Sequence, residues 1–484
     1  MPNSAINVSQ TPKRGKIVNM APEPLKIESS LISRLNADIV GEIFTVYVDQ
    51  WIKDNRQETT PTQPAIYVLC KVNQEWRRLA RRTPRLWRCI IIWYSTRTWN
   101  TCEALLSDWI QCAASSPLQV YVFSTEAPDT ELHPLLRETL MLNASKWSSF
   151  ICLGPTPFWG TPVKEYWSFP QLKSIAISLD DDTYCNFSDA PLLKELVVRN
   201  LQKNVSVHWS QLTLVDIAVE KLEYAILPLK ELKVVQDLRL TVEQWLLEDQ
   251  LTVVTPKLHP HLRKLSLHMP KQTSVIIFNA LSTPALTDVS LYLQSDPNKS
   301  DEDWLRSFLA LISRPGRLQS LTSLKLGRLG NITEAKFVSL LAQIPSIINI
   351  EILNPGFVIS DTIVDAMNPQ NGIQGRCMLP NATHVMFKNV KIQFDGFLLL
   401  NMLKQRKKCT EHPNDSNAVL LNKIPVITSF KKIEFWYNNP EWIRSDSFED
   451  PNLVMLFFYE VFKLKNSNKI LLKFCCLHDD PFED

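Results

Sequence analysis

Three groups of side chains in this sequence are of types that bind metals or take part in catalysis. They are the histidines of His259-Pro260-His261 with His268, the carboxylates of Asp180-Asp181-Asp182 and the thiols of Cys475-Cys476. The histidines have no cysteine or carboxylate at zinc-ligand spacing, the aspartates lack the alternating carboxylates of a calcium loop, and nothing near the thiols marks a reactive cysteine. We therefore predict no metal site, no cofactor and no catalytic residue.

Glycine is scarce, which argues against enzymes that hold nucleotides on glycine-rich turns. The chain has 484 residues but only 11 glycines beside 31 prolines, and residues 161 to 315 contain no glycine. Phosphate cradles and dinucleotide folds need glycines clustered between a strand and a helix. Neither GxGxxG nor GxxxxGK[ST] occurs, and the hydrolase motifs GxSxG and HExxH are absent as well. We expect a non-catalytic binding protein.

Charge and cysteine usage are typical of a globular protein in a reducing compartment. The 52 basic and 50 acidic residues nearly cancel, and the ten cysteines are scattered without a CxxC pair. The N-terminus has no signal-peptide core, and no apolar run approaches the ~20 residues that span a bilayer. We expect an intracellular protein of the cytoplasm, the nucleus or both, with no membrane segment and with disordered residues 1–28.

Three patterns of short helices follow one another between Leu31 and Ile92. In the first, Asn36 is a natural N-cap, and the residues on the apolar face are Ile39, Ile43, Val46 and Tyr47. After a polar insert, Lys53–Pro64, the second pattern has an apolar face of Val68, Val72, Trp76 and Leu79. Thr83-Pro84 ends this helix and begins a third, whose buried face is predicted to be Leu86, Trp87 and Ile90. A unit this small is marginal alone and should lean on the rest of the chain or on a partner.

A basic cluster lies on the outer side of the second helix. Between Lys71 and Arg88 there are seven basic residues and one acidic residue. Such clusters can bind phosphate backbones, which makes nucleic-acid association through residues 71–88 an alternative. The favoured interpretation is a solvated helix face that steers the protein toward an acidic protein partner, because no aromatic stacking platform lies beside the arginines.

From Phe169 onward, an apolar signature spaced L-x-x-L-x-L recurs. Its ten instances begin at Leu172, Leu193, Leu214, Val235, Leu262, Leu286, Leu321, Ile347, Ala382 and Phe430. A period of 20–29 residues is typical of a leucine-rich solenoid, in which each unit is a strand plus a return segment. Return helices are predicted at Asp301–Ser313 and Thr333–Gln343. Asn200, Asn354 and Asn389 occupy the eighth repeat position instead of the usual ninth, so a standard asparagine ladder is not expected.

Side chains alternate along a strand, so the positions between the signature residues should face outward, on the concave side of the array. They carry a variable, polar set that is typical of a protein-binding surface and also of any solvated sheet face. The candidate anchors are Arg199, Arg239, Tyr292, Lys388 and Trp436, and among them Arg, Tyr and Trp are types that dominate binding hot spots.

The N-terminal segment resembles the F-box of the F-box-like families that are expanded in mushroom-forming basidiomycete fungi. The resemblance rests on Leu35…Ile39-Val40…Ile43-Phe44 and, most specifically, on Trp76-Arg77-Arg78-Leu79-Ala80…Thr83-Pro84-Arg85-Leu86-Trp87. Two departures are a Leu35-Asn36 start in place of Leu-Pro and the Lys53–Pro64 insert. The resemblance implies docking on the Skp linker of cullin–RING ubiquitin ligases, and the residues it assigns to core or interface are Leu35, Ile39, Ile43, Phe44, Val72, Trp76, Leu79, Pro84, Leu86 and Trp87.

The predicted architecture is an α+β or α/β solenoid that begins with a three-helix F-box-like unit and continues as an irregular leucine-rich-repeat horseshoe. The expected segments are a tail (1–28), the helical unit (29–95), a linking or capping segment (96–168), the repeat array (169–476) and an acidic tail (477–484). The helical unit would bind the Skp linker and the array would bind a protein substrate of unknown identity. The main alternative is a leucine-rich scaffold without a ligase role.

Overall fold

The computed structural model describes residues 35–55, 64–94, 99–124, 133–152, 167–179, 185–201, 205–243, 256–294, 302–313, 320–330, 332–370, 377–411, 427–437 and 471–476. The chain divides into two compact units, Met1–Leu86 and Trp87–Asp484. The division falls earlier than the predicted boundary at residue 95, because the first strand of the second unit already begins at Cys89. The predicted disordered tail, Asp180–Asp182 and the predicted acidic tail lie outside the described residues.

The first unit contains three helices, α1 (Ala37–Asn55), α2 (Ala65–Val72) and α3 (Gln74–Arg82). The predicted N-cap of α1 is confirmed, since the Asn36 side chain accepts a hydrogen bond from the Asp38 N–H at 3.2 Å. The predicted second helix is interrupted, however, because Asn73 is extended and its side chain accepts from the Trp76 N–H at 2.7 Å. A side chain that caps the next helix competes with continuation of the previous one, which the apolar spacing does not reveal.

The buried face of α1 differs from the predicted one. Its buried large apolar residues are Val40, Phe44, Val48 and Ile52, whereas Ile39, Ile43, Val46 and Tyr47 are exposed. Both rows are apolar and both have helical spacing, so periodicity alone does not choose between them. The Phe44 ring lies 4.7 Å from that of Trp76 on α3, centroid to centroid, which turns the Phe44 row inward.

The predicted third helix is reduced to a single 3-10 turn, Pro84–Trp87. The Thr83 hydroxyl does not cap it, because it donates to the Leu79 carbonyl of α3 at 2.9 Å. Ile90, predicted on a helix face, lies in a strand. The run Cys89–Tyr94 is rich in β-branched and aromatic residues, and these favour a strand when a partner strand is present.

The second unit contains twenty strands among its described residues. In chain order they are β1 (Cys89–Tyr94), β2 (Leu118–Ser124), β3 (Trp147–Cys152), β4 (Ser174–Ser178), β5 (Cys185–Asn186), β6 (Glu195–Arg199), β7 (Val205–Ser206), β8 (Leu214–Val219), β9 (Asp237–Val242), β10 (Lys257–Leu258), β11 (Lys264–Pro270), β12 (Leu281–Ser282), β13 (Asp288–Gln294), β14 (Ser323–Gly327), β15 (Asn349–Leu353), β16 (Val358–Ser360), β17 (His384–Lys388), β18 (Lys391–Gln393), β19 (Lys432–Tyr437) and β20 (Leu471–Cys476).

Fourteen of these strands form one parallel sheet in the order β1-β2-β3-β4-β6-β8-β9-β11-β13-β14-β15-β17-β19-β20. Each strand therefore pairs with the next one along the chain, apart from three short two-stranded pairs, β5-β7, β10-β12 and β16-β18. This arrangement is compatible with an α/β solenoid. Because β2 and β3 belong to the sheet, the segment predicted as a linker or cap supplies regular strands, and β1 comes from the end of the predicted helical unit.

The signature residues form the buried side of the sheet, as predicted. Leu196 on β6, Leu265 on β11 and Val385 on β17 are examples whose side chains are almost fully buried. One instance is misplaced by two residues, because Val215 and Ile217 pair with Leu196 and Val198 and the unit therefore begins at Leu212 instead of Leu214. Leu212 and Leu214 are both leucines at strand spacing, and only the register distinguishes them.

Helices return the chain between strands. They are α4 (Trp99–Ala113), α5 (Pro134–Leu142), α6 (Leu222–Glu231), α7 (Lys271–Ala280), α8 (Glu302–Ser313), α9 (Glu334–Ala342), α10 (Asp361–Met367) and α11 (Gly396–Glu411). The predicted return helices at Asp301–Ser313 and Thr333–Gln343 are confirmed as α8 and α9. The Thr333 side chain caps α9 by accepting from the Lys336 N–H at 3.3 Å.

The eighth-position asparagines turn the chain at the ends of strands. Asn200, Asn354 and Asn389 directly follow β6, β15 and β17 with φ of 57°, 45° and 53°. Asparagine tolerates this left-handed region better than most residues because its short side chain hydrogen-bonds locally. The residue after Asn200, Leu201, then donates from its N–H to the Ala218 carbonyl of the next repeat at 2.8 Å.

Candidate protein-binding surfaces

One candidate surface is the exposed apolar row of α1, which we call the α1 stripe: Ile39, Ile43, Val46 and Tyr47. These side chains retain 51%, 51%, 68% and 44% of their accessible surface. Residues at i, i+4, i+7 and i+8 lie on the same side of a helix, so the four form one row over about two turns. Contiguous exposed apolar patches of this kind mark interaction sites.

The residues assigned by the F-box resemblance divide between surface and interior. Leu35, Ile39, Ile43, Val72 and Pro84 are exposed, Trp76 and Leu79 are half-buried, and Phe44 and Leu86 are buried. Trp87 belongs to the second unit, where its ring meets that of Trp109 edge-on at 5.3 Å and its carbonyl accepts from the Trp109 indole N–H. The structure therefore removes Trp87 from the helical unit.

Three positions of the apolar surface lie outside the assigned set. Val46 and Tyr47 on α1 and Val68 on α2 are exposed, and the resemblance assigns none of them to an interface. All three belong to the predicted apolar helix faces, so their spacing was visible in the sequence. What the sequence could not supply was which face of each helix is covered.

The arginines of α3 are solvated, as predicted. Arg77, Arg78, Arg81 and Arg82 are exposed. Arg77 donates from Nε to the Cys70 carbonyl at 2.9 Å, and Arg85 pairs with Glu42 of α1 at 2.8 Å. Two arginines of the basic cluster thus make contacts within the helical unit, which weakens the interpretation that the cluster binds nucleic acid.

The second candidate surface is the outward side of the parallel sheet, which we call the sheet face. The strands show the predicted alternation, with burial at every second residue of β6, β13, β15 and β17. All five candidate anchors lie on this face, but they do not form one cluster. Tyr292 and Trp436 lie in the same cross-strand row, separated by four strand spacings, or about 19 Å.

The two arginines among these anchors already have carboxylate partners. Arg199 makes a two-pronged contact with Asp216 on the neighbouring strand, at 2.8 and 3.3 Å. Arg239 pairs with Asp237 of its own strand at 3.1 Å, and this hydrogen bond raises the pKa of Arg239. Neither arginine presents an uncompensated charge on the sheet face.

Tyr292 lies flat across the neighbouring strand. Gly327 makes this possible, because a Cβ at that position would come within 2.6 Å of the Tyr292 ring. Lys325 lies over the same ring, with Nζ 5.5 Å from the centroid, and pairs with Glu351 at 3.1 Å. Burial alone would lower the pKa of Lys325, but hydrogen bonds to Tyr292 and Glu351 raise it. The positive charge of Lys325 beside Tyr292 is therefore compensated by Glu351.

Trp436, in contrast, is flanked by two lysines. Lys473 Nζ lies 4.4 Å and Lys388 Nζ 5.5 Å from the centre of the Trp436 ring, and the two lysines come from the strands on either side of β19. Lys432 on the same strand is compensated by Glu434 at 2.8 Å. Among the described residues, neither Lys388 nor Lys473 has a carboxylate partner.

The polar groups considered for metal binding do not come together. The described residues contain no group of three or more His, Cys, Asp or Glu side chains placed to hold a metal ion. His259 is buried with neither ring nitrogen paired to any described residue, and burial lowers its pKa. Burial also raises the pKa of the Cys377 thiol, which disfavours the nucleophilic thiolate there.

Comparison with known proteins identifies no family. No family model matches the chain, and no curated protein matches it. Among solved structures, the chain is similar to a Bacteroides fragilis protein solved as a structural genomics target, with 11% identity and a TM-score of 0.26 over 63% of this chain. The match spans 65% of that protein, just under two thirds of its length. Among the described helices, none combines the length and apolar character needed to cross a bilayer.

Proposed function

We propose that the chain is a non-catalytic substrate-recognition adaptor of a cullin–RING ubiquitin ligase. In this role the helical unit binds a Skp-type linker and the sheet face binds the protein to be ubiquitylated. The observation that carries the proposal is the α1 stripe, an exposed apolar row on a small helical unit that also contains the F-box-like sequence from Trp76 to Leu86.

The energetics of the α1 stripe favour a protein partner. Burying an apolar side chain of this size contributes on the order of 1.5–3 kcal/mol, and association must first offset the loss of translational and rotational freedom. Because the four side chains retain 44–68% of their accessible surface, each would contribute roughly half of that value, and together with Val68 and Val72, which are exposed on α2, they would offset part of this cost. The same residues in a free monomer would form an aggregation-prone patch, which is a physical reason to expect a partner.

The direct test is capture of a purified fungal Skp-type linker by the full chain. Ile43→Asp should abolish capture, because it places a charge in the centre of the α1 stripe without removing a core side chain. Leu142→Asp is the matched control, since Leu142 is also an exposed apolar helix residue, at 77%, but lies in the other unit. Equal capture by the parent and Ile43→Asp chains, or no capture by the parent, would contradict the proposal.

A deletion provides a second test if it ends at the correct residue. Removing residues 1–86 takes away the helical unit and leaves the sheet intact, whereas removal through residue 95 also deletes β1 and exposes the edge of β2. Loss of linker capture in the 87–484 chain supports the proposed role. If the 87–484 chain still captures the linker, the linker binds outside the helical unit.

The second candidate function is a binding scaffold without a ligase role. The observation that favours it is that the sheet face is complete within residues 87–484 and can bind a partner without the α1 stripe. The two functions differ in one measurable respect. A linker-bound adaptor brings cullin into the captured complex, and a scaffold does not.

A further inference from the structure

The last three strands of the sheet face, β17, β19 and β20, differ in charge from the strands before them. Over β9 to β15 the outward carboxylates and bases balance; they are Asp237, Asp288 and Glu351 with Arg239, Lys264 and Lys325. Over β17 to β20 three lysines face a single carboxylate, Glu434, which is buried and already paired with Lys432. Glu434 also lies opposite Lys473 in the register of β19 and β20, and with three lysines to one carboxylate these strands keep an excess of positive charge around Trp436.

We propose that this end of the sheet face binds an acidic, extended peptide segment of the partner protein. We call the binding group Lys388, Trp436 and Lys473 the lysine–tryptophan clamp. Its indole lies within cation–π distance of two ammonium groups from the strands on either side of β19, so a chain crossing β19 can place a carboxylate near each lysine. This inference rests on the proposed role of the sheet face and specifies the chemistry of its partner.

The geometry favours carboxylates over phosphates. Phosphate recognition is best served by the bidentate fork of arginine, and the described arginines of the sheet face, Arg199 and Arg239, are already paired with aspartates. Lysine offers a compact charge that donates hydrogen bonds to single carboxylates in several orientations. The cation–π contacts with Trp436 hold both ammonium groups near the ring before a ligand arrives, which lowers the entropy lost on binding.

The test uses fluorescence anisotropy of two labelled octapeptides with the full chain, one of alternating Glu and Asp and one of alternating Gln and Asn. We expect at least tenfold tighter binding of the acidic peptide. The double variant Lys388→Glu/Lys473→Glu should weaken that binding at least tenfold, and Trp436→Leu about threefold to tenfold. Lys264→Glu is the matched control, because it reverses an exposed lysine of the same face in its balanced part, and it should change affinity less than twofold.

Three outcomes would overturn the proposal. They are equal binding of the two peptides, unchanged affinity in the double variant, and an equal loss in Lys264→Glu, which would mean that only overall charge matters. A labelled single-stranded oligonucleotide serves as the remaining probe. If it binds more tightly than the acidic peptide and its affinity falls steeply with salt, the face serves nucleic acid instead.

The peptide measurement is independent of the ligase role. It uses no linker protein, and Ile43→Asp should bind the acidic peptide like the parent. Conversely, the double variant should still capture the Skp-type linker. If the chain binds the acidic peptide but does not capture the linker, only the proposed ligase function is refuted. If the chain captures the linker but does not bind the acidic peptide, only the lysine–tryptophan clamp is refuted.

Discussion

The rings of Phe44 and Trp76 lie 4.7 Å apart, centroid to centroid, and tilted by 55°. This contact ties α1 to α3 and decides which of the two apolar rows of α1 is covered. Because Phe44 points inward, Ile39 and Ile43 point outward. The proposed docking surface is thus a consequence of one aromatic contact in the core of the helical unit.

The first prediction compares neighbours on α1. Phe44→Ala should lower the free energy of unfolding of the helical unit by about 3–5 kcal/mol, because it removes a fully buried ring and leaves a cavity. Ile43→Ala should cost less than about 0.5 kcal/mol because the side chain is exposed. Urea unfolding of the full chain, followed by protease cleavage within residues 35–86, measures both. Comparable losses would mean that the Ile43 row is covered too.

The second prediction concerns the left-handed turn at Asn200. Asn200→Val should destabilise the chain by about 1–2 kcal/mol, because a β-branched residue is strained at a φ of 57°. Asn200→Gly should be within a few tenths of a kcal/mol of the parent, since glycine adopts this region freely. The urea midpoints of the two variants report the difference. Equal destabilisation by both would instead assign the effect to a lost side-chain hydrogen bond.

The sequence predicted the sheet better than it predicted the helical unit, and the reason is physical. A strand buried on one side repeats every second residue, and ten repeats in series leave little freedom in register. Among these ten repeats, only the Leu212/Leu214 choice was wrong. In α1 two apolar rows compete, and at Asn73 a local cap overrides helix spacing. Both outcomes depend on contacts between elements that spacing does not encode.

The sequence predicted which residue types lie on the sheet face but not which of them pair with one another. Arg199 and Arg239 were selected as anchors for their hot-spot chemistry, yet each is compensated by an aspartate. Lys473 was not selected, although its Nζ lies nearer to the centre of the Trp436 ring than the Nζ of Lys388 does. Its role emerges only when β20 pairs with β19, a register that no motif in the sequence specifies.

The third prediction is an acid sensitivity that originates at His259. Burial, assisted by the charge of Lys257, lowers the pKa of His259 in the folded chain. The unfolded chain binds this proton at the ordinary pKa of about 6.5, so below that pH the unfolded state gains protons first and stability falls as pH falls. The contribution lost at pH 5 is at most about 2 kcal/mol.

Urea midpoints at pH 7.5 and pH 5 measure this effect. His259→Leu should reduce the difference between the two midpoints. His261→Gln, an exposed neighbour two residues away, should leave it unchanged. Equal responses of the parent and His259→Leu chains would assign the acid sensitivity to other groups, such as His268, whose pKa is also lowered by burial.

The fourth prediction concerns the buried guanidinium of Arg406. Its Nη2 donates to the carbonyls of Leu379 and Pro380 at 2.7 and 3.1 Å, its Nη1 donates to Met367, and its plane lies 4.0 Å over Phe430. Burial lowers the pKa of Arg406 to about 10, still above neutral pH. These bonds satisfy carbonyls that no water reaches.

Arg406→Met should therefore destabilise the last repeats by about 3–5 kcal/mol, because it leaves several buried carbonyls without donors. Lys404→Met, an exposed position on the same helix, is the control. Hydrogen exchange of the β17 and β19 amides should accelerate strongly in Arg406→Met and remain near the parent rate in the control. Unchanged protection would show that the carbonyls find other donors.

The fifth prediction tests the coupling between Gly327 and Tyr292. Gly327→Ala should cost about 1–2 kcal/mol, because the new methyl group meets the Tyr292 ring at 2.6 Å and the ring must leave its place over the strand. In a Tyr292→Ala background that space is empty, and the same alanine should cost only a few tenths of a kcal/mol or stabilise the strand. The four chains form a double-mutant cycle with an expected coupling of about 1 kcal/mol, read from urea unfolding. Additive effects would mean that Tyr292 is held by Lys325 and the sheet without any need for glycine at position 327.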